Sequence, residues 1–415
     1  MKTAAQRFLD YISYDTGSDI TSETFPSTAK QKVFAAHLVQ EMKELGIADA
    51  HMDEYGYVYG SVPSNCERKL PVIGLISHMD TVSDPPSAGI RPRIIRDYDG
   101  GDVVLNQEKE IVLRTADYPS LSTYQGQDLI VGDGTTILGG DDKAGIAAIL
   151  TGVEQVLADG APHGAFCIAF TPDEEISRGT KYFDVEKFGA DFAFTLDGGK
   201  LGDYQYESFN GAQAEVVIRG RMCHLGRGKS RGLRNSIRIA MEFQSMLPVF
   251  EDPANTEKHE GYYHLDRFDG RVSLTRLLYR INDHSREKFE QKKALLREIA
   301  GFLNQKYGDP VVQVSCEDIC YNMYDRLKDK GYILDRVRRA LHSIGVMPNE
   351  RPVRGSTDGA KLSYMGLPCP NLCMGSENAH SIYEFSSVQA LAGVSRMVCA
   401  LLTDLTPPEE QEKQM

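Results

Sequence analysis

LPVIGLISHMD (70–80), GAFCIAFTPDEE (164–175) and ADFAFTLDGG (190–199) share one design: a short apolar run that ends abruptly in acids or a histidine. Runs of this length, bounded by turn residues, read as strands buried on both faces. Between the first two lies AGIAAILTGVEQVLADG (144–160), which reads as a helix. Strands alternating with helices predict an α/β fold with a mixed, mostly parallel sheet between helices. In such sheets ligands bind beyond the carboxyl ends of the strands, where these polar clusters fall.

Working outward, residues 27–46 read as an amphipathic helix capped by Ser27/Thr28, with Phe34, Leu38 and Met42 on one face and Gly46 as its stop. Tyr55 to Val62 reads as a strand. The texture changes near residue 208. Strand (212–219), helix (233–247), two strands (262–267 and 271–281), helix (284–306) and strand (310–316) give a βαββαβ order, an inserted α+β unit of ferredoxin-like type. The expected division is 1–207 and 321–415 for a first domain and 208–320 for the insert. After it come a helix at 331–344, a strand-like CPNLCMG (369–375) and a closing helix at 386–404, while TPPEEQEKQM (406–415) reads as a frayed tail.

The chain has 415 residues, too many for one core, and is 41% hydrophobic and 25% charged, as a globular chain is. Its net charge of −13 argues against nucleic acid or an anionic membrane as partner. The eight cysteines are scattered without C-x-x-C spacing, which suits reduced thiols in a cytoplasmic protein. No apolar stretch approaches the ~20 residues of a membrane span.

The strand ends and late turns carry His78-Met79-Asp80, Asp141-Asp142-Lys143, Asp173-Glu174-Glu175, Asp197-Gly198-Gly199 and Asn378-Ala379-His380. Each is weak alone, but a doubly wound sheet would gather them at one rim. Imidazoles with carboxylates suit zinc, manganese or cobalt, and two histidines with three acids suit two ions roughly 3.5–4 Å apart. Adjacent Glu174 and Glu175 in extended backbone point opposite ways, so one can bind metal while the other takes a proton from water. Competing motifs fail: GDGTTILGGDDKAG (132–145) is no phosphate loop, and neither H-E-x-x-H nor G-x-S-x-G occurs.

With GLISHMDT, GGDDKAGIA, FTPDEE, TLDGG, EGYYHL, RGSTDGAKLSYMGLPCPNL and the late His380 together, the chain resembles the co-catalytic di-zinc metallopeptidases, and among them the peptidase T family of tripeptide aminopeptidases. The resemblance implies two Zn2+ per subunit, with Co2+ or Mn2+ as substitutes. His78 and Asp197 would hold one ion, Glu175 and His380 the other, and Asp141 would bridge them. Asp80 would hydrogen-bond His78 and fix its tautomer. Glu174 would be the general base, and a cis peptide would follow Asp141. The insert would be a lid that mediates a homodimer, with His224 stabilising the oxyanion and Arg280 gripping the substrate carboxylate. Arg354 and Asn378 would be further substrate contacts.

The chain departs from the family's pattern at Leu225, followed by the basic loop GRGKSRGLR (226–234), at Ser356, and at Ser381-Ile382-Tyr383, all near where substrate ends would bind. A two-zinc aminopeptidase acting on short peptides, most readily tripeptides, is therefore the leading expectation. A dipeptidase, carboxypeptidase or acyl-amino-acid hydrolase on the same site stays open, as does a catalytically silent peptide-binding protein.

Overall fold

A computed structural model describes residues 1–407. Most of the tail expected to fray, residues 408–415, lies outside the described residues. The chain forms two units. Met1–Tyr206, Arg326–Arg351 and the residues from Thr357 onward make the first, and Glu207–Asp325 with Pro352–Ser356 make the second.

The first unit is built on an eight-stranded mixed sheet. Its order is His51–Met52, Val58–Val62, Phe166–Thr171, Ile73–His78, Phe192–Gly198, Asn371–Cys373, Asp203–Gln205 and Asn349–Glu350. Every residue of Ile73–His78 and Phe166–Thr171 is buried, which explains their unbroken apolar runs. These two strands are parallel with His78 opposite Thr171, and Phe192–Gly198 runs parallel on the other side of Ile73–His78. Three strands therefore end at one rim. The parallel register, not the sequence distance, makes His78 a neighbour of Thr171.

Helix Gly140–Asp159 packs on Val388–Thr403 and on Ala4–Tyr11. Its first turn departs from helical geometry at Asp141 (ψ 104°) and Asp142 (ψ 30°), and the Asp141–Asp142 peptide is cis. Gly145 permits the helix to approach closely, since a Cβ there would lie 2.2 Å from the Leu196 carbonyl oxygen. A small second sheet of Ser376–Glu377, Phe385–Ser387, Leu129–Val131 and Arg93–Ile95 went unread, because strands of two or three residues carry no usable period.

One local expectation is corrected. Helix Lys30–Glu44 has Ala29 at its N-cap with no side-chain hydrogen bond, so neither Ser27 nor Thr28 caps it. Ser27 instead donates through its hydroxyl to Asp173 at 2.5 Å, and Thr28 donates to the Gly17 carbonyl at 2.9 Å. Long-range partners outcompete the local cap.

The second unit is an antiparallel four-stranded sheet, ordered Tyr262–Gly270, Leu274–Asp283, Asn210–Arg219 and Val312–Cys320. Helices Ser236–Ser245 and Arg286–Tyr307 cover one face, and Val216, Ile218, Phe243, Leu277, Tyr279 and Leu296 form its core. Residues 352–356 join this unit, beyond the expected 208–320, because Val353 N–H donates to Glu207 O and Phe209 N–H to Gly355 O. Among the described residues no helix is long and apolar enough to cross a membrane.

Candidate active site

His78 closes its strand with its ring buried, and Nε2 lies 2.8 Å from Asp141 Oδ1 and 3.7 Å from Asp197 Oδ1. The other Asp141 oxygen, Oδ2, faces His380 Nε2 at 3.2 Å, and that same nitrogen lies 2.8 Å from Glu175 Oε2. One carboxylate thus turns an oxygen to each of two imidazoles. His380 reaches it from a left-handed turn (φ 61°), as Asn378 does two residues earlier.

The surrounding shell fixes these side chains. Asp80 touches both His78 and the turn that carries Glu174. The His78 Nδ1 contact at 3.0 Å is with the Asp80 main-chain carbonyl, while the carboxylate accepts the backbone N–H groups of Glu174 at 2.9 Å and Glu175 at 3.2 Å. Its carboxylate stays 3.5 Å from Nδ1, a secondary contact. Asn371 accepts the Asp197 N–H at 3.1 Å and donates to the Asp197 carbonyl at 3.0 Å.

Glu384, which sequence reading missed, accepts the N–H groups of Leu138 (2.8 Å), Gly139 (2.7 Å) and Asp141 (3.0 Å) and so holds the turn that presents Asp141. Its only signal was a lone charge between Tyr383 and Phe385. Asp173 was quoted for its motif alone. Its buried carboxylate accepts Ser27 N–H at 2.6 Å and Gln31 Nε2 at 2.7 Å, and its φ of 57° sets the turn into Glu174.

Electrostatics follow from packing acids without water. Burial, then Asp141, pushes Asp197 up to about 7. Burial, then Asp358 and Asp197, holds Glu174 well above the usual carboxylate range. Burial opposes charge on Asp141 too, but His380 and His78 outweigh it and hold that carboxyl below its usual value. Hydrogen bonds to Asp141 and Glu175 raise His380 to about 11.

The donor set fits divalent cations. Ligand atoms of His78, Asp141 and Glu175 lie within 4.8 Å of one another, and Glu175 Oε1 is buried without a hydrogen-bond partner, as a metal-facing oxygen is. Asp142 also comes within this distance of His78 and Asp197. However, its Oδ2 takes the His78 backbone N–H at 3.1 Å and its Oδ1 faces Gly145, so it braces the strand end.

The remaining candidates lie elsewhere. Asn378 donates its amide to the Tyr383 carbonyl at 3.0 Å. In the second unit, His224 opens the exposed turn Leu225–Arg227, and Arg280 donates to Asp266 at 2.7 Å. Arg354 donates to the Lys258 and Glu260 carbonyls at 3.0 and 2.8 Å and lies over the Phe209 ring. Its guanidinium is therefore largely engaged inside the unit.

Residues 128–404 match the family described as peptidase family M20/M25/M40. The chain belongs to that family. It is 48% identical over 392 residues to a peptidase T of Halothermothrix orenii, covering 94% of this chain and 96% of that one. With a peptidase T of Alkaliphilus oremlandii it shares 45% over 405 residues, 97% of this chain and 99% of the other. Family membership thus extends across nearly the whole chain. An aminopeptidase from Bacillus cereus shares the fold with a TM-score of 0.77 at 23% identity, covering 96% and 97% of the two chains. A Bacillus subtilis family member described as a dinuclear metal binding peptidase superposes with a TM-score of 0.62 at 13% identity, covering 96% of each chain.

Proposed function

We propose that this protein is a metal-dependent aminopeptidase that releases the N-terminal residue of short peptides, most readily tripeptides. The observation that carries the reading is the Asp141 carboxylate, with one oxygen toward His78 and the other toward His380. Full-length relatives named peptidase T support the substrate class.

In this reading His78 and Asp197 would hold one ion, His380 and Glu175 the other, and Asp141 would be shared by both; zinc would suit the mixed imidazole and carboxylate donors, with cobalt or manganese as substitutes. Two such ions, when bound, supply Lewis acidity at the scissile carbonyl and ease ionisation of the attacking water. Glu174 accepts that water's proton on its carboxylate and delivers it to the leaving amine. Burial favours the protonated form of Glu174, which strengthens it as the acceptor of the water's proton. Asp80 holds the Glu174 and Glu175 backbone so that base and ligand keep their relative aim.

The proposal keeps His224, Arg280, Arg354 and Asn378 as substrate contacts, and the exposure of His224 and Arg280 supports the first two. Homodimerisation through the second unit belongs to it too, supported by the two open edges of that unit's sheet. A cytoplasmic site is consistent with the buried thiols of Cys167, Cys369 and Cys373.

The test is a peptide panel varying length and terminal blocking, with products identified by mass. Free-amine tripeptides should lose their first residue, and an acetylated N-terminus should abolish cleavage. Equal cleavage of acetylated peptides would make this an acyl-amino-acid hydrolase or carboxypeptidase.

A further inference from the structure

Away from the metal-site rim, the first unit holds a recess of about 400 Å3, within the usual range for small-ligand sites. Ser61 and Cys167 lie in its wall and face each other across two strands of the large sheet. Cys167 comes four residues before Thr171, the rim end of its strand, so the recess sits about 13 Å along that strand from the rim. Tyr55 and Tyr182 line it as a stacked pair, with ring centroids 4.3 Å apart and planes 8° from parallel. Both are held from behind. Phe25 packs edge-on against Tyr182 at 4.9 Å, Asp53 accepts the Tyr55 N–H at 2.9 Å, and the Tyr57 hydroxyl accepts the Tyr182 N–H at 3.2 Å. Rings fixed in this way lose little freedom when a ligand settles against them.

The same recess gathers negative charge. Asp49, Asp53, Glu54 and Asp184 line it, against Lys187 and the imidazole of His51. Of the four acids, only Asp184 is paired with a cation among the described residues, with Lys187 Nζ at 3.3 Å. Asp49 accepts the N–H and hydroxyl of Ser61 at 2.9 and 2.5 Å, hydrogen bonds that leave its charge in place. Three carboxylates therefore face the recess without a compensating cation. The hydroxyl of Tyr59, also in the wall, is buried; the Asp184 N–H lies nearby, but no group meets that oxygen in hydrogen-bond geometry. Buried hydroxyls are rarely left so.

We propose that this recess binds an aliphatic amine carrying two or more ammonium groups. Aromatic rings attract ammonium groups, and carboxylates gathered in a recess focus their field on a cation there. The methylenes between the charges cover apolar ring surface that water would otherwise wet. A strongly hydrated inorganic cation could use only the acids, and a neutral ligand only the rings. An ammonium N–H also supplies the kind of donor that the Tyr59 oxygen lacks. The site is separate from the residues assigned to peptide hydrolysis, so the inference stands or falls independently of that reading.

The test is calorimetric titration of the full, metal-loaded chain with spermidine, beside butylamine and Mg2+ at matched ionic strength. Spermidine should bind at one site per chain, about tenfold more tightly than either control, as two further ion pairs allow. Tyr182→Leu keeps apolar bulk but removes the ring face, and should weaken spermidine by about 3- to 30-fold. Glu54→Gln, at an exposed position where folding is not at issue, should weaken it by about two- to fivefold. A blocked peptide, N-acetyl-dilysine amide, carries the same groups and separates the two sources of such amines. Tighter binding of that peptide than of spermidine upholds the site and makes lysine side chains its occupant. Absence of spermidine binding, an equal affinity for Mg2+, or a spermidine affinity unchanged in both variants overturns the assignment.

Discussion

Asp80 Oδ1 accepts a hydrogen bond from the Glu174 backbone N–H at 2.9 Å. Its second oxygen takes the N–H of Glu175 at 3.2 Å, so one buried carboxylate at the end of the His78 strand sets the backbone of the next. Replacing Asp80 with alanine leaves both N–H groups without their acceptor and frees the Glu174–Glu175 pair to drift. Activity should fall by about 10–100-fold or more, with a matching loss of metal affinity, read from kcat and from metal content by elemental analysis. Full activity in the variant would remove Asp80 from the positioning shell.

Glu175 Oε2 lies 2.8 Å from His380 Nε2, whereas Glu174 is the carboxylate assigned to the water's proton. Glu174→Gln should therefore keep its metal and lose turnover by about 10²–10⁴-fold, the range for a positioned acid–base group. Metal content measured beside kcat distinguishes this from loss of a ligand; retained turnover sinks the base assignment.

Glu384 accepts three backbone N–H groups around Asp141 while fully buried. Glu384→Ala orphans all three. The expected destabilisation is about 3 kcal/mol or more, seen as a lower denaturant midpoint, together with weakened metal binding. A variant as stable as the parent contradicts this account of the turn.

Asp141, Glu175 and Asp197 are crowded in one buried cluster, and bound cations would offset their charge. Chelation should lower the melting temperature, and readdition of zinc should restore it in proportion to occupancy. An unchanged melting temperature would count against an ion at this site.

Without metal, burial and then Asp141 hold a proton on Asp197 up to about 7, and Asp141 and Glu175 hold one on His380 up to about 11. An incoming ion must displace these protons and the one that, despite burial, Asp141 and Asp197 hold on His78, raised well above the usual imidazole value. Metal affinity should thus rise with pH, and more steeply below 7, where Asp197 is protonated as well. Competitive chelator titrations between pH 6 and 8 read the slope, and an affinity that is flat or falls with rising pH contradicts this order of protonation.

Much of this site is legible in the linear chain because it sits at strand ends. An apolar run that stops at His78, Thr171 or Asp197 announces both the strand and the place where its backbone leaves the sheet. The ferredoxin-like insert was legible for a similar reason, since four long strands and two long helices each carry a clear period. Glu384, Asn371 and Asp173 were not. Their importance lies in which distant N–H groups they accept, and nothing in the residues beside them encodes that.

The sequence by itself determined the chemistry available: two histidines and a set of acids, most of them placed after buried strands. Local hydrophobic period and turn residues suffice for that, because each acts within a few residues. Only the tertiary structure decided how the groups face one another. It turned one Asp141 oxygen to each imidazole, gave the Asp80 carboxylate to Glu174 and Glu175, and spent Ser27 on Asp173 instead of on its own helix. Each of those choices joins residues roughly 60 to 240 positions apart, where the partner is set by parallel register and burial and by the need to satisfy every buried polar group.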